Sequence, residues 1–419
     1  MRRVFISGIG VVCPIGNTKA AFWDALIGGR CGVRTLQSID IKDLPVTIGG
    51  EVVDLDVNAA NVNDKVNARK MDRSSIFAVI SAAEALRDAG LDSTNLGDRC
   101  GVVVGSGLSG LATLQEQTEN LLSRGPRGVS PFTIPILMPN AAPANVSLAF
   151  NVTGPAYTVA SACSSSGHAF IDAFEMLRRE EVDVVLVGGS ESSLTRLGIS
   201  AFANMRAMTK KYNDCPEKAS RPFDADRDGF VMSEGGAMLI LESDDHLAKR
   251  SGRPIAEIVG YGSTMDSHHL VQPDPSAQGA IRAIRQALRM AGWDPEKIAG
   301  RTYVNAHGTS TKYNDLAETI ALKEIFGPAA SRLQISSTKG STGHLIGAAC
   351  AVEMAACMLA FEKGILPPTI NYETPDPECD LDYIPNKSRE ASVDFALNNS
   401  FGFGGHNVCI AIAKPGASA

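Results

Sequence analysis

Recurrent short apolar runs constrain this chain more than any other feature. "RVFISGIGVV", "CGVVVGSG", "VDVVLVGGSES", "GAMLILE", "IAEIVGYGS", "TYVNAHG" and "NVCIAIA" are spread along its 419 residues. Continuous Val/Ile/Leu stretches of this length suit strands covered on both faces. Between them, "RSSIFAVISAAEALRDAG" and "GAIRAIRQALRMAGW" have helical periodicity and a glycine stop. The alternation predicts layered α/β structure, with helices covering largely parallel sheets.

A weak internal repeat adds to this. "TVASACSSSGHAFIDAFEML" can be laid over "QISSTKGSTGHLIGAACAVEMAACML", so that Cys163 falls on Lys339, Gly167 on Gly343 and His168 on His344. Each segment reads as a strand, a small-residue turn and an Ala-rich helix. Chance likeness between two strand–helix turns is one explanation. A duplicated half is the other, and it would bring Cys163 near residues of the far half.

The bulk numbers exclude some classes. A formal net charge of −7 disfavours a general nucleic-acid binder. The nine cysteines are scattered and odd in number, and they form no CxxC pair, which fits free thiols in a reducing compartment such as the cytoplasm. The opening "MRRVFISGIGVVCPIG" is broken by glycines and Pro14 and reads as a first strand rather than a targeting segment. No apolar run reaches the length of a membrane span. No GxGxxG or Walker pattern follows the first strand, so nucleotide binding has no support, and the GxSxG elbow of α/β-hydrolases is also absent.

Four segments offer chemistry. Cys163 closes a β-type run just before a helix-like stretch. It is either a buried structural thiol or a nucleophile favoured by a helix start, and the local sequence leaves both open. His307 in "YVNAHGTSTKYND" ends a strand and precedes the hydroxyls Thr309, Ser310 and Thr311, at the strand end where open α/β folds place ligands. His344 follows Lys339 in "STKGSTGH"; a helix starting near Gly340 or Ser341 would keep its imidazole neutral. Lys339 and Glu353 stand in apolar or small-residue surroundings and are expected to share a polar network. In "NNSFGFGGHN", Phe401 and Phe403 alternate with glycines, which suits either a gate over an apolar tunnel or a tight turn with core aromatics.

Taken together, these segments resemble the β-ketoacyl-acyl carrier protein synthases, closest to the elongating synthase II type and the ketosynthase α subunits of type II polyketide systems. The likeness runs nearly end to end, from "SGIGVVCPIGN" to "NNSFGFGGHNVCIAIA", and includes "ASRPFDADRDGFVMSEGG". It implies a thiolase-like fold of duplicated halves in a five-layer α/β/α/β/α arrangement. Residues 1–255 would carry the nucleophile with dimerisation and cap insertions, and 256–419 the two histidines and the gating loop.

The resemblance also implies roles. Cys163 would accept the acyl group, His307 and His344 would help decarboxylate a malonyl unit, Lys339 would support them, and Glu353 would anchor the site. Backbone N–H groups of Cys163 and Phe403 would form an oxyanion hole, with the Phe403 side chain as gate. Thr309 and Thr311 would contact a pantetheine arm, and Leu108, Ala162, Gly198, Phe202 and Phe401 would line the substrate path. The implied partners are an acyl carrier protein and a second subunit, either an identical copy or a cysteine-less chain-length homologue. "SPFTIPILMPNAAPANVS" would contribute to that interface. Substrates would ride on the carrier's phosphopantetheine, with no separate cofactor and no metal. Arg69, Lys70, Arg127, Lys210 and Lys211 are candidates for a carrier-facing patch. His406 stands where the synthase II pattern more often has threonine, and "MTKKYND" departs from the usual "STRND". A degradative thiolase would need a second catalytic cysteine, for which Cys409 in its apolar strand is poorly placed. A non-catalytic carrier-binding scaffold would not need the Cys–His–His–Lys set.

Overall fold

The structure is a computed structural model that describes residues 2–94 and 96–419. Ten strands form its main sheet: β1 (Val4–Val12), β2 (Cys100–Gly105), β3 (Ala156–Val159), β4 (Val184–Glu191), β5 (Gly235–Ser243), β6 (Ala256–Met265), β7 (Thr302–Asn305), β8 (Gln334–Ser336), β9 (Phe395–Gly402) and β10 (His406–Ala413). Every apolar run named above lies on one of them. The helices that matter here are α1 (Arg73–Ala89), α2 (Leu111–Arg124), α3 (Ala141–Phe150), α4 (Ser165–Arg178), α5 (Arg196–Asn204), α6 (Gln278–Ala291), α7 (Lys312–Phe326) and α8 (Ala349–Lys363).

The strand order is β8-β7-β9-β10-β6-β1-β5-β4-β2-β3. Counted from its own first strand, each half runs third-second-fourth-fifth-first. In each half the second strand pairs in parallel with the third and fourth, while the fifth runs antiparallel to the fourth and the first. Four strands of each half therefore point one way and the fifth is reversed. The halves join where β1 pairs with β6, Val4 opposite Ile258 and Ile6 opposite Ala256.

Residue alternation assigns the layers, because successive side chains leave a strand on opposite faces. Val185, Val187, Leu239 and Leu241 from the first half share one core with Val408, Ile410 and Ile412 from the second, packed on α4 and α8. Their neighbours Leu186, Met238 and Ile240 face outward onto α1 and α3. Cys409, Ala411 and Leu397 face outward onto α6 and α7. The result is helix, sheet, helix, sheet, helix.

The duplication extends to single residues. A Cβ at Gly10 of β1 would stand 1.9 Å from the Ser81 carbonyl of α1, and one at Gly262 of β6 would stand 1.9 Å from the Ala283 carbonyl of α6. Both halves use a Gly-x-Gly in the first strand, Gly8/Gly10 and Gly260/Gly262, to let the outer helix lie against the sheet backbone. Among the described residues, no helix is long and apolar enough to cross a membrane.

Candidate active site

Cys163 sits on a turn between β3 and α4. Ala162 takes a left-handed φ of +53°, which costs energy for a residue with a Cβ. The turn is closed by Ser164 N–H donating to the Ser161 carbonyl (3.1 Å) and Ser165 N–H donating to Ala162 (3.2 Å). The second half holds it from the other side. Ser164 Oγ donates to the carbonyls of Ser400 and His406, both at 2.9 Å, and Ser400 Oγ donates to the Cys163 carbonyl at 2.9 Å.

Three elements of the second half bring chemistry to the thiol. His344 Nε2 lies 3.1 Å from Cys163 Sγ. The His307 ring crosses that of His344 edge-on, with centroids 5.4 Å apart. The ligand atoms of Cys163, His307 and His344 all fall within 4.8 Å of one another. All three residues are buried: 4%, 1% and 3% exposed.

His307 is held by its backbone. Its N–H and that of Gly308 each donate to one carboxylate oxygen of Glu318 at 2.9 Å, and Asn399 Nδ2 donates to Glu318 Oε1 at 3.0 Å. Lys339 Nζ donates to the His307 carbonyl at 2.6 Å, lies 3.4 Å from His307 Nδ1, and forms a buried ion pair with Glu353. Lys339 and Glu353 thus share the expected network. His344 sits on an extended link, pinned by Ser233 N–H donating to its carbonyl (2.9 Å) and its own N–H donating to Val231 (2.8 Å).

That position corrects the helix-start expectation for His344. Lys339–Thr342 is a single turn that ends at Gly343 with φ +69°, and α8 begins only at Ala349. His344 and His168 are therefore not equivalent in the fold. His168 lies within α4, where Nδ1 contacts Ser161 Oγ at 2.7 Å and Nε2 contacts Ser263 Oγ at 2.9 Å, tying the nucleophile turn to β6.

The electrostatics also revise the picture of an activated thiolate. Burial pushes the Cys163 thiol up to about 11, against the N–H of Phe403, the Lys339 charge and the N–H of Cys163 itself; the Glu191 charge adds to the rise. The helix start does not overcome desolvation. Burial also holds His307 well below the usual imidazole range, helped by the Lys339 charge and by the His344 ring beside it, since the two imidazoles resist being protonated together. It does the same to His344, helped by Lys339. Both rings are neutral, for these reasons rather than a helix dipole. Burial raises Glu318 to about 7 despite the N–H groups of Gly308, Asn399 and His307.

A cleft leads to this cluster, lined by Cys163, His307, His344, Thr309, Thr311, Phe401 and Phe403 among others. Thr309 and Thr311 turn their hydroxyls together, Oγ1 to Oγ1 at 2.9 Å, around Ser310 with φ +68°. Phe401 crosses the His307 ring at 5.8 Å. Phe403 leans on Phe202 at 6.2 Å, Phe202 on Phe230 at 5.6 Å, and Phe230 on His344 at 5.4 Å. Gly404 and Gly405 adopt φ +85° and +84°, a turn open only to glycine without strain.

Leu108, Ala162, Gly198 and Phe202 do not line the open cleft. Phe202 packs behind Phe403, the N–H of Leu108 donates to Glu191 at 3.2 Å, and Gly198 lies in the first turn of α5. Arg69, Lys70, Arg127, Lys210 and Lys211 are all exposed. Lys70 covers the Phe132 ring at 4.5 Å, and Lys211 pairs with Asp226 at 3.7 Å.

Reading the sequence missed Glu318 and Glu191. Buried Glu191 accepts from the N–H of Gly107 (2.7 Å) and of Gly347 (3.2 Å) and from Ser193 Oγ (3.0 Å), joining the loops on either side of the nucleophile turn. The available signal was acids on apolar faces: Asp315 and Glu318 share the buried side of α7 with Ala317 and Ala321.

Residues 1–246 match the Beta-ketoacyl synthase, N-terminal domain, and residues 255–373 match the Beta-ketoacyl synthase, C-terminal domain. The chain is 43% identical over 414 residues to the 3-oxoacyl-[acyl-carrier-protein] synthase 2 of Synechocystis sp., covering 99% of this chain and 98% of that one. It is 42% identical over 415 residues to the enzyme of the same name from Coxiella burnetii, covering 99% of each. Among solved structures, a type II polyketide ketosynthase in complex with its acyl-carrier protein superposes with a TM-score of 0.90 at 31% identity, covering 99% of both chains. The ishigamide ketosynthase/chain length factor gives 0.90 at 32%, again over 99% of both. With matched halves, full-length relatives and a shared fold, the chain belongs to the β-ketoacyl synthase family.

Proposed function

We propose that this chain is the condensing enzyme of a carrier-bound acyl elongation cycle, with Cys163 as the acyl acceptor. The observation that carries this is the buried convergence of Cys163, His307 and His344 within 4.8 Å. In the first half-reaction Cys163 sulfur attacks the thioester carbonyl of an acyl carrier. The carbonyl oxygen enters the hole made by the N–H groups of Cys163 and Phe403. Because the thiol is neutral at rest, its proton must leave as the S–C bond forms. His344 Nε2, 3.1 Å away, is placed to take that proton and return it to the departing pantetheine thiolate.

In the second half-reaction a malonyl thioester loses CO2. The electron pair left on carbon is shared with the thioester oxygen. Neutral imidazoles can donate hydrogen bonds to that oxygen without first giving up a charge. The carbon attacks the acyl-Cys163 carbonyl, the same two N–H groups hold the oxyanion, and the Cys163 thiolate leaves and takes a proton from solvent by way of His344, the one proton that the decarboxylative condensation consumes overall. A dry cleft closed by Phe403 protects the carbanion from water. Lys339, Glu353 and Glu318 position the imidazoles.

On this reading residues 1–255 supply the nucleophile and 256–419 the imidazoles and the gate. Thr309 and Thr311 hold the pantetheine arm, with Phe401 beside it. Leu108, Ala162, Gly198 and Phe202 line the acyl pocket that opens when Phe403 moves. The partners are an acyl carrier protein, met through exposed Arg69, Lys70, Arg127, Lys210 and Lys211, and a second homologous subunit. The reaction takes place in the cytoplasm and uses carrier-bound substrates with no further cofactor. The full-length synthase 2 relatives share more sequence with this chain than the ketosynthase structures do, which favours a self-sufficient elongating enzyme over an obligate heterodimer subunit. Incubation with an acyl carrier thioester followed by intact-mass analysis tests the assignment. One acyl adduct is expected on the wild type and none on Cys163→Ala; an unchanged adduct in the variant overturns it.

A further inference from the structure

Glu191, the last residue of β4, is 0% exposed, and the donors it meets are neutral. Oε2 accepts the N–H groups of Gly107 (2.7 Å), Leu108 (3.2 Å) and Gly347 (3.2 Å), and Oε1 accepts Ser193 Oγ (3.0 Å). Burying a carboxylate is costly, and the bonds it accepts have to offset that cost. Here they join two segments far apart in sequence. One, residues 105–108, leaves β2 toward α2; the other, residues 344–348, carries His344 toward α8. A Cβ on Gly347 would stand 2.3 Å from the Gly107 nitrogen, and one on Gly107 would stand 3.0 Å from Ile346 Cγ2 and 3.6 Å from the Ala162 carbonyl oxygen.

Backbone strain gathers at the same place. Ile346 has φ +49°, a left-handed conformation that a β-branched side chain strongly disfavours, and Ala162, next to the nucleophile, has φ +53°. Ile346 lines the cleft together with Cys163 and His344. A strained residue persists only where its surroundings hold it. The N–H of Gly347 is the first backbone group after Ile346, so its bond to Glu191 fixes Ile346 directly.

We propose that Glu191 is a positioning residue for acyl transfer: its carboxylate ties Gly107 and Leu108 to Ile346 and Gly347, and so sets where His344 stands relative to Cys163 and to the acyl group it carries. The proposal rests on the condensing reading above. The tie works through reach, one side chain serving N–H groups of both segments, rather than through negative charge.

Two conservative variants separate reach from charge. Glu191→Asp keeps the charge and draws the carboxylate back by one C–C bond, about 1.5 Å, too short to serve both segments. Glu191→Gln drops the charge and keeps the length; its amide oxygen can accept the N–H groups that Oε2 accepts, with its NH2 facing Ser193 Oγ. Single-turnover acylation of Cys163 from an acyl carrier thioester, followed by intact mass, gives a rate constant and an amplitude. Fewer folded molecules lower the amplitude, whereas misplaced groups lower the rate constant. Glu191→Asp should acylate about tenfold more slowly at full amplitude, and Glu191→Gln should stay within about threefold of the wild type. An Asp variant as fast as the wild type, a Gln variant as slow as the Asp variant, or a loss confined to amplitude overturns the proposal.

Hydrogen exchange on peptides spanning residues 105–108 and 344–348, read by mass, needs no substrate. Both segments should stay protected in the wild type and in Glu191→Gln, and at least one should exchange about tenfold faster in Glu191→Asp. Equal protection in all three proteins also overturns the proposal. If the wild type takes up no acyl group while exchange still separates the Asp variant from the Gln variant, the condensing reading falls and the tie between the two segments stands.

Discussion

At Cys163 the protein buries a thiol whose ionisation it then resists, with the pKa pushed up to about 11. The thiolate fraction should therefore keep rising through the neutral and alkaline range. Iodoacetamide labelling of Cys163, read by mass, is expected to speed up roughly tenfold per pH unit between about pH 7 and about pH 9. A rate that levels off near neutrality would mean an activated thiolate instead. The Lys339–Glu353 pair makes a second case, being 1% and 2% exposed. Removing one partner leaves an uncompensated buried charge, so Lys339→Ala should lose about 3–5 kcal/mol of stability in a denaturant melt. Lys339→Met with Glu353→Leu should regain most of it yet stay inactive in malonyl decarboxylation, because His307 would have lost its cation. A fully active double variant would reduce the pair to scaffolding. Only part of this was legible in the sequence. Charged residues among apolar neighbours pointed to a network, but the direction of the thiol's shift depends on how completely water is excluded, and that is a property of packing.

Among the elements, β1 with α1 and β6 with α6 form the same close-packed pair twice. Gly10→Ala and Gly262→Ala each drive a Cβ into a helix carbonyl at 1.9 Å. Each should cost about 1–3 kcal/mol in thermal or chemical unfolding, by similar amounts, since the two contacts are copies of one design. A neutral effect at either site would show that the two outer helices are not equivalently seated. The strand runs and glycine-stopped helices were readable in advance, since hydrophobic period and helix stops are local. The Gly-x-Gly correspondence was not, because a pair of glycines on one face of a strand does not reveal what lies against it. The repeat alignment placed Cys163 and Lys339 in similar turns. It failed to see that the longer β8–α8 connection carries His344 outside its helix, since an alignment of turns has no measure of chain path.

For the molecule as a whole, the surface leaves one face unfinished. Among the described residues β3 pairs only with β2, so this edge of the sheet is open, and Tyr157 on it is 37% exposed. α3 packs on this strand, and Leu148 on it, with Leu122 and Ile134 earlier in the chain, is exposed: by 47%, 81% and 60% in that order. A patch of this kind beside an open edge is suited to a homologous subunit. Sedimentation should find a dimer, and Leu122→Asp with Ile134→Asp should shift it to monomer and lower the thermal midpoint. A wild-type monomer at micromolar concentration would remove the face from that role.

The sequence by itself determined the strands, the helices that end on glycine and the four segments that carry chemistry. Each is written in spacing between near neighbours or in a motif of a few residues. Only the tertiary structure decided which face of each strand meets the central helices, where His344 stands, and why both imidazoles are neutral. It also brought in Glu318 and Glu191, which contact the site from other elements. It alone showed that the turn at Cys163 and the adjoining ends of β9 and β10 hold each other. These properties depend on burial and on distances between segments far apart in the chain. Desolvation and Coulomb energies are set by what surrounds a group in space, and the order of residues along the backbone does not state that directly.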